Sequence, residues 1–260
     1  MILCRFGPEA FFAAGESLAD LRVLFSDPFV TPASQWSFGR AVRLDSGEAL
    51  RAPIDPGKIV CVGRNYRDHA SELGNPLPAE PLIFLKSPSA VIGPETAIVL
   101  PPESARVDFE GEIAIVLRER LRRATPEAAR RAILGVTCAC DVSARDLQKR
   151  DGSFSGAKSF DTFCPLGPVV RVLDPDEDLE ALEVVTRVDG VERQRGRAAQ
   201  MIFPIAEALA YASRRMTLDP GDVFLTGTPA GVGPLADGER VEVEIAGVGV
   251  LANPVEAFRG

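Results

Sequence analysis

Short apolar runs separated by turn residues fill most of this chain, and few of them reach helical length. Ile59-Val60-Cys61-Val62 reads as a buried strand, as do Leu82-Ile83-Phe84-Leu85-Lys86 and, beyond a Gly93-Pro94 turn, Ala97-Ile98-Val99-Leu100. Asp222 to Thr226 has the same texture, and Arg240 to Ile245 alternates charged with apolar residues, the mark of a strand with one face in water. Helical spacing is convincing in two places. Thr125 and Pro126 supply an N-cap and a first-turn proline for one helix, and Ile205, Ala208, Leu209 and Ala212 after Pro204 form the apolar stripe of another. The pattern predicts a mixed α+β, β-rich fold. Residues 1–55 carry short apolar runs, Pro28, Pro32 and Pro53, and no constellation of polar groups, so they are expected to form a small N-terminal β-rich domain. The catalytic domain is expected over residues 56–260.

The polar residues that break this pattern are more informative than the pattern itself. The run Val107 to Leu117 is too apolar and β-prone for a surface loop, yet it carries Asp108, Glu110 and Glu112 at a spacing of two. On one continuous strand all three fall on the same face. Buried there, they require a counter-charge, and a divalent cation bound through carboxylate oxygens is the economical one. Asp141, at the tip of the apolar run Ile133 to Cys140, is placed to add a third ligand to Glu110 and Glu112. The pattern equally fits Glu110 and Glu112 on the solvent face of an edge strand with Asp141 capping a turn, the arrangement expected for Glu242 and Glu244.

The chain has a single histidine, His69, followed three residues later by Glu72 in a polar, helix-prone stretch after Gly63. On a helix the two side chains share a face, so the carboxylate could hold the imidazole as a general base. An exposed histidine beside a solvated glutamate fits the same spacing.

Composition narrows the classes. Hydrophobic residues make up 46% of the chain, ample for a core, and a net charge of -8 with no basic stripe argues against nucleic-acid binding. No apolar run suggests a membrane span or a signal peptide, so a cytoplasmic location is expected. Cys4, Cys61, Cys138, Cys140 and Cys164 include no CxxC and read as reduced, buried residues. One histidine and scattered cysteines also make a zinc enzyme a poor reading.

Taken together, five segments in order resemble the fumarylacetoacetate hydrolase family, and in particular its bacterial acylpyruvate hydrolase and 2-hydroxyhepta-2,4-diene-1,7-dioate isomerase branch. They are VGRNYRDHASE (62–72), DFEGEIAIV (108–116), DVSARDLQ (141–148), AKSFDTFCPLGP (157–168) and GDVFLTGTPAGVGP (221–234). The resemblance implies a mixed β-roll, a homodimer, and a magnesium or manganese ion held by Glu110, Glu112 and Asp141. It places the family's histidine–glutamate dyad on His69 and Glu72 and its active-site lysine on Lys158. Arg64, Gln148 and Thr228 match positions that contact substrate in relatives. In many bacterial relatives the segment before the alanine–lysine pair carries tryptophan, threonine and arginine. Here it reads Phe154-Ser155-Gly156, a departure that bears on the size and charge of the substrate tail.

The implied chemistry is that of a metal-stabilised enolate. For an acylpyruvate such as fumarylpyruvate or acetylpyruvate, His69 backed by Glu72 would activate a water against the C4 carbonyl, with Lys158 and Gln148 stabilising the developing charge. The same enolate is reached by decarboxylating an oxaloacetate-type acid or by shifting a proton along a 2-hydroxydienoate. A non-catalytic oxo-acid or metal-binding protein is the alternative from another class.

Overall fold

A computed structural model of the protein describes residues 1–7, 11–42, 50–68 and 77–260. The apolar runs become strands, and most join one large curled sheet. Its order is Phe38–Ala41, Arg22–Leu24, Phe11–Gly15, Ile2–Phe6, Cys164–Val172, Ile133–Cys140, Gly111–Leu117, Val223–Leu225, Ile59–Gly63 and Leu82–Lys86, with Val91–Ile92 paired beside Cys164–Val172. All neighbours along this order are antiparallel except Val223–Leu225 and Ile59–Gly63, which run parallel. The segment assigned to an N-terminal domain therefore contributes four strands to one end of the sheet, joined to the rest where Ile2 and Leu3 pair with Arg171 and Val170.

A second sheet, ordered Val191–Arg197, Glu183–Val188, Arg240–Ile245, Gly249–Ala257 and Ile98–Leu100, packs on the middle of the first. Burying the apolar faces of two sheets against each other creates the core, with Ile113, Ile115, Val136 and Cys138 from one side and Val184, Val243 and Leu251 from the other fully or nearly fully buried. A small sheet of Ser143–Ala144, Val107–Phe109 and Gly233–Pro234 lies beside the carboxylate-bearing strand.

Both expected helices form. Thr125 accepts the Ala128 N–H through its hydroxyl and opens Pro126–Arg131, and Ile205–Arg215 buries Ile205, Ala208, Leu209 and Ala212. Two further short helices, Arg145–Asp151 and Phe154–Lys158, are separated by Gly152 at φ 61°. Their sequences lack a long apolar stripe, so only contact with the rest of the fold makes them helical. Among the described residues no helix is long and apolar enough to cross a membrane.

Candidate active site

Register builds the site. Gly111–Leu117 and Ile133–Cys140 run antiparallel with Gly111 opposite Cys140 and Glu112 opposite Ala139, and the Asp141 N–H donates to the Glu110 carbonyl at 2.7 Å. Glu110 and Asp141 are thus neighbours where the two strands run out. One carboxylate oxygen from each of Glu110, Glu112 and Asp141 lies within 4.8 Å of the others, and the three residues are only 4%, 2% and 1% exposed. The solvent-face arrangement for this pair is thereby overturned. It does hold for Glu242 and Glu244, which are half-buried on the outer side of their strand, with Glu244 paired to Arg187 at 2.6 Å.

The expected single strand carrying three carboxylates on one face is corrected. Pairing breaks at Glu110, so Val107–Phe109 belongs to the small sheet and Gly111–Leu117 to the large one. Asp108 turns away from the trio to Arg106 and Arg145, accepting from their Nε atoms at 2.9 and 3.0 Å. Three buried carboxylates in strict alternation would repel; the break gives each a different set of partners.

Lys158 joins the carboxylates directly. Its Nζ donates to Glu110 Oε2 at 2.6 Å and to Asp141 Oδ2 at 2.5 Å. Burial alone would lower the lysine pKa, but the Asp141 and Glu110 charges outweigh it and hold the value above the ordinary lysine range. Arg145 donates through Nη2 to Glu110 Oε1 and through Nη1 to Gln148 Oε1, the latter at 3.0 Å. Lys86, from the far edge of the sheet, donates to Asp141 Oδ1 at 2.6 Å.

Among the described residues, Glu112 is the member of the trio that forms no ion pair. Among the described residues its side chain accepts one hydrogen bond, from the Gly227 N–H at 2.7 Å. Burial, then the charges of Asp141 and Glu110, push its pKa well above the usual carboxylate range. A buried all-oxygen trio of carboxylates fits a hard divalent cation such as magnesium or manganese. Gly227 lies at φ 98°, in the region that favours glycine, and a Cβ there would come within 2.8 Å of the Asn65 side chain. The glycine-rich turn therefore brings a backbone donor to Glu112.

Thr228 follows, donating from Oγ1 to the Gly111 carbonyl at 2.8 Å and accepting from Gln194 Nε2 at 2.7 Å. A cleft of about 50 Å³ opens over the trio, lined also by Arg64, Gln148, Thr228 and Lys158 and closed by Phe84 and Phe154, whose rings stack 5.2 Å apart. Arg64 holds φ 56°, a conformation that side chains rarely adopt and that functional sites often retain. Seven of the nine residues singled out in the sequence thus meet at one cleft. His69 and Glu72 lie outside the described residues.

Lys86 and Arg145 were not singled out. Arg145 stands inside a quoted motif, DVSARDLQ, and spacing carried no sign that its side chain reaches Glu110. Lys86 closes an apolar strand, a weak signal in itself. The five cysteines are free and buried, and burial pushes the thiols of Cys4, Cys140 and Cys164 up to about 12, which leaves them chemically quiet.

Comparison with known proteins bears on the family and the fold. Residues 58–256 match the model of the fumarylacetoacetate (FAA) hydrolase C-terminal family. The chain is 49% identical over 201 residues to a protein of Archaeoglobus fulgidus, covering 77% of this chain and 79% of that one. It is 44% identical over 214 residues to the mitochondrial oxaloacetate tautomerase FAHD2A of Bos taurus, covering 78% and 68%. The crystal structure of a 2-hydroxyhepta-2,4-diene-1,7-dioate isomerase from Mycobacterium marinum superimposes with a TM-score of 0.87 at 39% identity, over the whole of both chains.

Proposed function

This chain belongs to the fumarylacetoacetate hydrolase family, a family of enzymes, and from that premise we propose that it catalyses divalent-metal-dependent chemistry on a small 2-oxo acid through its enol or enolate. The observation that carries the reading is the buried trio Glu110, Glu112 and Asp141 beneath the fixed cations Lys158 and Arg145. A divalent ion held by the three carboxylates would supply Lewis acidity toward the oxygens of a 2-oxo carboxylate.

The chain's own residues do the rest. Lys158, which donates to Glu110 and Asp141 at the floor of the cleft, supplies positive charge where negative charge develops on the substrate. Arg145 holds the Gln148 carbonyl oxygen, which leaves the Gln148 amide group as a donor toward substrate. The stacked Phe84 and Phe154 rings give the cleft an apolar wall beside these charges. The helix Phe154–Lys158 supplies Phe154 and Lys158 to the lining of this cleft of about 50 Å³.

A proton shift between keto and enol forms is the first reading, because two relatives at 39–44% identity are named as an isomerase and a tautomerase. Hydrolytic cleavage of a 2,4-dioxo acid is the second, favoured by the His69-x-x-Glu72 spacing, which provides a base for water. The two are separated by following the ultraviolet absorbance of enol-oxaloacetate and pyruvate release from acetylpyruvate and fumarylpyruvate, with magnesium or EDTA, for wild type, His69→Ala and Lys158→Met. Metal-dependent loss of the enol without pyruvate release supports the proton shift, and pyruvate release that vanishes in His69→Ala supports hydrolysis. In either case Lys158→Met is expected to lower kcat by roughly a hundredfold or more, as loss of a fixed charge at a developing anion does. Silence on every substrate with metal present would leave a binding protein.

A further inference from the structure

We propose that Lys86 is a positioning residue of the carboxylate centre, one that holds the far oxygen of Asp141 and so leaves a single oxygen for a metal ion. The inference rests on the metal-dependent reading above. Asp141 is gripped by two lysines in different ways. Lys158 Nζ takes Oδ2 at 2.5 Å and at the same time Glu110 Oε2 at 2.6 Å, so Oδ2 is the oxygen that faces the rest of the trio. Lys86 Nζ takes Oδ1 at 2.6 Å and also donates to the Val142 carbonyl at 3.3 Å, so it draws the carboxylate back against its own strand end.

The Lys86 side chain is 0% exposed and the Asp141 side chain 1%. An ion pair this deep is weak evidence for stability, since desolvating both charges costs about as much as their attraction returns. Its geometry fits another task. The alternation of Leu82–Lys86 turns Phe84 and Lys86 to the same side, with Leu85 exposed on the other, so the strand that supplies the cleft wall also delivers the ammonium. Its neighbour Ser87 is tied by its N–H to the Ser159 hydroxyl at 3.0 Å, next to Lys158. A cation bound between Glu110 and Asp141 would compete with Lys158 for Oδ2 but not with Lys86 for Oδ1. With Lys86 absent, the carboxylate can swing and its second oxygen loses its partner.

Manganese binding separates these roles. Dissociation constants for MnCl2 are measured by electron paramagnetic resonance of the free ion for wild type, Lys86→Met, Lys86→Arg and Lys158→Met, with thermal melts alongside. Lys86→Met is expected to weaken binding roughly tenfold or more, the usual effect of losing a partner that orients a ligand, while Lys158→Met binds as tightly as wild type or more tightly. A purely electrostatic effect would tighten binding in both variants, and a purely structural one would lower the melting temperature of Lys86→Met without changing its affinity. Either result overturns the proposal. Should Lys86→Met fail to fold, Lys86→Arg keeps the charge on a head group of different shape. Weaker manganese binding by that variant supports positioning, and wild-type affinity overturns it. Wild-type protein that binds no manganese would overturn both this inference and the metal-dependent reading, whereas wild-type affinity in the Lys86 variants overturns this inference alone.

Discussion

Gly111 sits between two of the three carboxylates, and the reason is contact between sheets. A Cβ built on it would fall 1.8 Å from Thr186 Oγ1 on the neighbouring sheet. Gly111→Ala is therefore expected to destabilise by about 1–3 kcal/mol through overpacking, and to displace Glu110 and Glu112 with it. Pairing it with Thr186→Ala removes the clashing hydroxyl and leaves a Cβ neighbour at 3.1 Å, so the double variant should recover much of the loss. Urea denaturation of the two single variants and the double reads this coupling, and additive effects would refute it. At this scale the sequence showed the residue types with their spacing and left the partners out. Asp108 illustrates the gap: alternation grouped it with Glu110 and Glu112, and the arginines that claim it lie 2 and 37 positions away in the chain.

Among the elements, the parallel pair Ile59–Gly63 and Val223–Leu225 links the edge of the large sheet to its centre. Asp222 fastens the start of that pair. It accepts the Lys58 N–H at 2.9 Å, the Asp219 N–H at 2.7 Å and the Lys58 ammonium at 2.9 Å, with its side chain only 3% exposed. Asp222→Ala leaves two backbone donors without their acceptor and is expected to cost roughly 2–4 kcal/mol in chemical denaturation. A loss under 1 kcal/mol would show that water satisfies those donors. Strands such as Ile133–Cys140 and Arg240–Ile245, and the helices Pro126–Arg131 and Ile205–Arg215, were legible because their periodicity and caps are local. Arg145–Asp151 and Phe154–Lys158 were not, since neither has a side-chain N-cap or an apolar stripe and both owe their form to packing against each other, with Phe154–Lys158 on the strand Leu82–Lys86 and Arg145 and Lys158 on the carboxylates.

For the whole molecule, the four N-terminal strands bear on how the chain divides. Ile2–Phe6 covers the edge of Cys164–Val172, and Leu3, Cys4, Leu21 and Ile54 are fully buried in the shared core. Deleting residues 1–55 would uncover that edge and its apolar surface. The remaining chain is expected to aggregate or to lose its sharp calorimetric transition. A truncated protein that melts cooperatively and still binds manganese would establish the N-terminal segment as a separable domain.

The amino-acid sequence by itself determined the β-rich class, the positions of several central strands, the family, and the candidate trio Glu110, Glu112 and Asp141, because each depends on alternation or contiguous motifs. The tertiary structure alone decided which charges meet. Lys86 lies on an edge strand four places from the strand that ends at Asp141, a separation of about 19 Å in a flat sheet. Curling of the sheet, together with the reach of the lysine side chain, brings Lys86 Nζ to 2.6 Å from Asp141 Oδ1. Such curvature arises from the twist summed over many strands and from the packing of a second sheet, and no local window of sequence contains it.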